Sequence, residues 1–241
     1  MVWIDMPFIM DDNECMGMLY AGGFMDTCRY TYEDIDIVAK QLQKGKVIAF
    51  PTDTVYGLAV VFDDERALSR LKKAKGRPED KPIPVMIGDM RQMHAIAYVN
   101  ERAVRLADAF MPGAITLILP KREHIAEYIT NGFSTIGIRM PNDDFILSLI
   151  RRCGKPLLVT SANLSGYPSA ADAEEVLAQL DGRIDGIVVG EAGGHQASTI
   201  IDVSGEDYRI LRQGIVEKEA VERVLLGGTS VSYTHLTLPT I

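Results

Sequence analysis

Apolar positions along the middle of the chain follow two alternating rhythms. Between Asp34 and Leu42, the residues Ile35, Ile37, Val38 and Leu42 fall at helical spacing, and Gly45 is placed to end the helix. Short apolar runs follow at Lys46–Pro51 and Leu58–Phe62, with the length and composition of buried strands. Asp63 or Asp64 stands where a cap is needed for a helix carrying Ala67, Leu68 and Leu71. The same reading predicts a strand over Ile83–Ile87, a helix opened by Asp89, and a helix over Glu101–Phe110. Beyond Pro112 and Gly113, strands are expected at Ile115–Leu119 and Thr135–Met140, then a helix at Asp144–Arg152 and a strand at Pro156–Thr160. A helix at Ala173–Leu180 precedes strands near Ile187–Val189, Thr199–Val203 and Arg209–Leu211, and Glu217–Leu226 forms the last helix. No internal repeat and no Pro/Ser-rich linker interrupts this alternation. The pattern predicts an α/β domain in which helices cover a large sheet.

Composition narrows the function classes. The chain has 241 residues, 47% of them hydrophobic, enough for a substantial core. Its net charge of −8 argues against an extended phosphate-binding face for nucleic acid. A few local cations can still hold a small anion. The cysteines Cys15, Cys28 and Cys153 are scattered, with no zinc-ligand spacing, and are read as reduced thiols of a cytoplasmic protein. No apolar run reaches membrane-spanning length, so no membrane partner is expected.

The two ends differ from the rest. Residues 1–24 contain no Lys or Arg, and Asp11, Asp12, Asn13 and Glu14 interrupt their apolar stretch, unlike a secretory signal. They read either as an extension or as the product of a start assigned upstream of Met25. Residues 231–241 (VSYTHLTLPTI), back-translated, resemble a transposon-derived sequencing adapter, so Tyr233 and His235 carry no functional weight. Residues 25–230 are therefore taken as the domain, and the family resemblance described below makes it the catalytic one.

Four segments could carry chemistry. Pro51-Thr52-Asp53-Thr54-Val55-Tyr56-Gly57 lies between two predicted strands, where α/β sheets commonly bind ligands. Its two Thr hydroxyls and Tyr56 phenol could hydrogen-bond a small polar molecule, or the segment is a polar turn with Asp53 as its Asx-turn former. Four cations, Lys73, Lys75, Arg77 and Lys81, lie within nine residues after a helix. They either complement the helix terminus or present a triphosphate-binding loop stiffened by Pro78 and Pro82. Thr160-Ser161-Ala162-Asn163-Leu164-Ser165-Gly166 directly follows a strand and is either an uncrowded ligand contact or a capping turn. Ser198 and Arg212 flank two strands that could form a hairpin around Gly205 and so approach each other. The chain has no GxxxxGK[ST] loop, no GxGxxG fingerprint, no HExxH and no GxSxG. Its histidines are not spaced as metal ligands, and His94 is read as structural.

Taken in order, six stretches resemble the YrdC-like family of threonylcarbamoyl-adenylate synthases. They are KVIAFPTDTVYGLA (46–59), LKKAKGRPEDKPIPVMI (71–87), PGAITLIL (112–119), TIGIRMP (135–141), LLVTSANLSGYPS (157–169) and STIIDVSGEDYRILRQG (198–214). The resemblance implies a three-layer α/β fold of the α+β kind, with a large twisted mixed sheet around a concave basic cleft. It places the family's Lys-x-Arg and Ser-x-Asn signature on Lys75, Arg77, Ser161 and Asn163 as catalytic residues. It implies substrate contacts from Thr54, Arg139, Ser161 and Ser198, and nucleotide contacts from Arg77, Lys81, Asn163 and Arg212. Lys81, Met86 and Ala171 stand where many members have Asn, His and Thr, which puts a side-chain contact at Ala171 in doubt.

The activity so implied joins L-threonine, bicarbonate and ATP into threonylcarbamoyl-adenylate and pyrophosphate, for threonylcarbamoyl-adenosine in tRNA. ATP would arrive with Mg²⁺. The expected partners are the transferase proteins that receive the intermediate, with a weak RNA contact. The main competing reading is a relative that binds a nucleotide or double-stranded RNA without making the adenylate. A carbamoyl-transferring domain of a hydrogenase-maturation protein is a third, normally found within a much longer chain with zinc-binding cysteines.

Overall fold

A computed structural model describes residues 27–76, 81–194 and 196–227. The expectations for residues 1–24 and 231–241, and for Cys15, Arg77 and His195, lie outside the described residues. Ten strands form one mixed sheet: β1 (Cys28–Tyr30), β2 (Ile48–Phe50), β3 (Gly57–Val61), β4 (Val85–Met86), β5 (Ile115–Pro120), β6 (Thr135–Arg139), β7 (Leu157–Ser161), β8 (Gly186–Val188), β9 (Thr199–Asp202) and β10 (Arg209–Arg212). Their order across the sheet is β1-β8-β2-β3-β7-β4-β6-β5-β9-β10. The helices are α1 (Ile35–Gln43), α2 (Glu65–Lys75), α3 (Met90–Ile96), α4 (Glu101–Phe110), α5 (Glu127–Thr130), α6 (Asp144–Cys153), α7 (Ala173–Leu180) and α8 (Lys218–Leu226).

Local chemistry explains where the helices begin and end. Asp64, Asp89, Asn100, Asp143 and Asp172 each cap a helix by accepting a backbone N–H from the first turn. Asp64, rather than Asp63, is thus the cap of α2. Helix α2 stops at Gly76, whose φ of 58° is costly for a residue with a Cβ.

Strand alternation divides the apolar residues into two cores. Leu58, Val60, Val85, Leu117, Ile138, Leu158 and Ile201 face one way, packing with α2, α3, α4, α7 and α8 through Leu71, Met93, Leu106, Val176 and Val221. Ile48, Phe50, Ala59, Val61, Leu157 and Val159 face the other, packing with α1 and α6 through Val38, Leu42, Ile146, Leu149 and Ile150. These two helix layers and the sheet give the expected three-layer arrangement. The second helix layer stands against β2, β3 and β7. Further along that face, alternation presents Thr116, Arg139, Ile200 and Arg212, outside both apolar cores.

Cys153 is free and buried under α1. Burial pushes its thiol up to about 12, so almost none is thiolate at neutral pH. A thiol reagent at pH 8 should leave Cys153 unmodified in the folded protein and label it on unfolding; rapid labelling of the native protein would contradict this placement. Among the described residues no helix is long and apolar enough to cross a membrane.

Candidate functional site

The uncovered face of the sheet holds a cavity of about 240 Å³. Cross-strand register brings its floor together: Gly57 opposes Ser161, Met86 opposes Arg139, Thr116 opposes Ile200, and Ile200 opposes Arg212. Thr54, from the loop between β2 and β3, and Ser198, just before β9, complete the polar lining. The predicted residues Thr54, Arg139, Ser161, Ser198 and Arg212 therefore share one cavity. A second basin is lined by Lys75, Lys81, Asn163 and Ser161, so Ser161 borders both. The two linings carry four basic side chains and no acidic one among the described residues.

Arg139 is buried, and burial lowers its pKa against the opposing pull of Asp53. Its Nη2 donates to Asp53 Oδ1 at 2.5 Å, its Nη1 to Thr54 Oγ1 at 2.9 Å and its Nε to the Gly113 carbonyl at 3.2 Å. Arg212 donates from Nε and Nη2 to the Ser198 carbonyl at 3.0 and 2.8 Å, which confirms the expected approach of these two residues. Arg212 makes no ion pair among the described residues, and its pKa is lowered by burial first and then by repulsion from Arg139. Two guanidiniums and one carboxylate leave a surplus positive charge suited to an anion.

The hydroxyls are also ordered. Thr54 Oγ1 accepts from Arg139 and lies 3.0 Å from Thr52 Oγ1, which in turn donates to the Val55 carbonyl at 2.8 Å. In this chain Thr54 donates to Thr52 and keeps one lone pair, so it faces the cavity as an acceptor. Ser198 Oγ pairs with Thr116 Oγ1 at 2.9 Å. Gly214 permits the loop after β10 to close on this wall: a Cβ there would lie 2.2 Å from the Ala197 carbonyl oxygen.

The structure decides between readings left open at three residues. The Tyr56 phenol is not a ligand donor: it is fully buried and bonds the Val188 and Gly190 carbonyls at 2.8 and 3.0 Å. Desolvation raises its pKa, so it stays neutral. Asp53 is no mere turn former, since it is the counter-ion of Arg139. Lys75 does not project freely as a point charge. Only 2% exposed, it donates to the carbonyls of Ser161 and Asn163 and approaches Asn163 Oδ1 at 3.4 Å. It clips the end of α2 to the loop after β7, and the Ser165 N–H returns a bond to the Lys75 carbonyl at 2.9 Å. The Asn163 amide donates to the Leu164 and Tyr167 carbonyls, both at 2.8 Å. His94 is exposed on α3, away from both linings.

Comparison with known proteins places this geometry. A family model for Sua5, YciO and YrdC, described as "Telomere recombination", matches residues 40–214, well over half of the chain. The chain belongs to the Sua5/YciO/YrdC family. It is 42% identical over 190 residues to a threonylcarbamoyl-AMP synthase of Bacillus subtilis (strain 168), a match covering 78% of this chain and 55% of that protein. It is 39% identical over 193 residues to a threonylcarbamoyl-AMP synthase of Pyrococcus abyssi (strain GE5 / Orsay), covering 79% and 57%. The chain thus spans a little over half the length of these Sua5/YciO/YrdC relatives. Among solved structures, P. abyssi Sua5 complexed with L-threonine superposes with a TM-score of 0.80 at 37% identity, over 83% of this chain and 61% of that one. E. coli YciO gives a TM-score of 0.74 at 25% identity, over 81% of this chain and 99% of that one.

Proposed function

We propose that this chain forms L-threonylcarbamoyl-adenylate and pyrophosphate from L-threonine, bicarbonate and ATP, supplying the intermediate for tRNA modification in the cytoplasm. The observation that carries the reading is the pair of linings joined at Ser161: a hydroxyl-rich cavity holding Arg139 and Arg212, beside a basin holding Lys81 and Asn163. The cavity is the size of a small amino-acid derivative. Thr54, presented as an acceptor, suits an amine or N–H, and the surplus guanidinium charge suits a carboxylate or phosphate. The relatives named threonylcarbamoyl-AMP synthase and the P. abyssi complex with L-threonine support the substrate class.

In this reading the amine of threonine combines with bicarbonate to give a carbamate, with loss of water. A carbamate oxygen then attacks the α-phosphorus of ATP, the bond to the bridging oxygen breaks, and pyrophosphate leaves with its electron pair. Mg²⁺ enters with the phosphates of ATP. The protein's part is positioning and charge stabilisation, as in phosphoryl transfer. Arg212 and Lys81 face the phosphates, Arg139 and Thr54 hold the threonine end, and Ser161, between the two linings, faces the reacting carbamate. Lys75 and Asn163 shape the loop that carries Ser161. Arg77 belongs to this scheme as a nucleotide contact through the family signature alone.

Pyrophosphate release tests the reading. The full chain with ATP and Mg²⁺ should release pyrophosphate only when L-threonine and bicarbonate are both present. Nucleotide binding by folded protein without such release would favour the binding-relative reading instead.

A further inference from the structure

We propose that Asp53 is a positioning residue for recognition of the amino-acid substrate, acting through the orientation of Arg139; this rests on the synthase reading above. Asp53 does not line the cavity, so its influence must be indirect. Its carboxylate is 13% exposed and the Arg139 side chain 7%, so little solvent screens the pair. Each carboxylate oxygen has its own partner: Oδ1 accepts from Arg139 Nη2 at 2.5 Å, and Oδ2 accepts from the Asn142 N–H at 3.0 Å. The second bond ties Asp53 to the segment that leaves β6, the strand on which Arg139 stands.

The backbone behind Asp53 is fixed as well. The Gly193 N–H donates to the Thr52 carbonyl at 2.8 Å. A Cβ at Gly193 would lie 2.8–3.0 Å from backbone atoms of Asp53, so that loop rests directly on it. The carboxylate is therefore aimed from both sides. Its bond to Arg139 sets the guanidinium plane, and the same guanidinium bonds Thr54. Arg139 and Arg212 also repel each other across the cavity, a contribution second to burial in lowering the pKa of Arg212. Without Asp53, Arg139 would keep only neutral partners, at Thr54 and Gly113, while facing that repulsion. The side chain most displaced would be the one at the amino-acid end of the cavity, together with the Thr54 hydroxyl it orients.

The test is Asp53→Asn, which keeps the size and removes the charge. KM for L-threonine should rise about tenfold, the effect of misplacing one charge-assisted hydrogen bond, while KM for ATP stays within about twofold. In an Arg139→Gln background the Asp53→Asn change should add no further rise, because both act through one contact. Calorimetric titration with L-threonine gives a second readout and should show the same weakening. An unchanged KM for L-threonine, with turnover lower only in proportion to the folded fraction, would reduce Asp53 to a structural residue and overturn the proposal. So would equal rises in both KM values, or full additivity in the double variant. A wild-type protein that binds L-threonine but releases no pyrophosphate would defeat the synthase reading instead, and titration of Asp53→Asn would then decide the proposal. A wild-type protein that binds no L-threonine would overturn it outright.

Discussion

Lys75→Met should lower thermal stability and turnover together, which distinguishes a clip from a phosphate contact. The ammonium of Lys75 is buried and held by the carbonyls of Ser161 and Asn163. Methionine matches its stem but leaves those two carbonyls without the ammonium that now satisfies them. Stranding buried polar groups in this way costs about 3 kcal/mol. For a domain of this size that corresponds to a fall in melting temperature of roughly 6–12 °C. The loop bearing Ser161 and Asn163 would shift with it, so turnover should fall by on the order of a hundredfold. Differential scanning calorimetry alongside pyrophosphate release checks both halves. A variant with normal melting temperature and lost activity would restore the direct phosphate role for Lys75.

Arg212→Ala should separate the two properties in the opposite sense. Arg212 stands on the edge strand β10, exposed as a residue, while its guanidinium is half-buried and bonds only Ser198 among the described residues. Its loss should cost about 1 kcal/mol of stability. The expected fall in melting temperature is only about 2–4 °C. Among the described residues it also has no carboxylate partner, so its removal takes away the surplus charge of the cavity. Turnover should drop on the order of a hundredfold, as for other single electrostatic donors. Arg209→Ala provides the control on the same strand. That side chain is 74% exposed and pairs with Asp202 outside the cavity, so turnover should be unchanged. Equal activity loss in both variants would mean that the strand, rather than the charge of Arg212, matters.

Much of this arrangement is legible in the sequence, and the exceptions have physical causes. Periodic segments with their own caps, such as those opened by Asp89 and Asp143, agree with the structure because every determinant lies within one helical turn. The sequence allows a hairpin of β9 and β10 around Gly205, and that hairpin forms and brings Arg212 onto Ser198. Strand β1 was not predicted. Its three residues pair with β8, more than 150 positions away, so nothing nearby in the chain marks them. The short helix Glu127–Thr130 is a single turn, too brief for a period to register.

The candidate site divides in the same way. Motif order identified Thr54, Arg139, Ser161, Ser198 and Arg212, and the placement of β7 between β3 and β4 is what gathers them. Residue type alone left the inner residues open. Asp53, Tyr56 and Lys75 all carry polar ends that read as ligand contacts or turn formers, yet each finds a partner 86 or more residues away. Only the fold reveals that those groups hold the site in shape.

The most direct test of the central claim is to identify the product itself. The full chain would be incubated with ATP, Mg²⁺, L-threonine and ¹³C-bicarbonate, and the nucleotides separated and read by mass spectrometry. The account requires one AMP-containing species that carries both the threonine mass and the labelled carbon, formed together with pyrophosphate. Consumption of ATP without a labelled adenylate, or no consumption by folded protein that binds ATP, would contradict it.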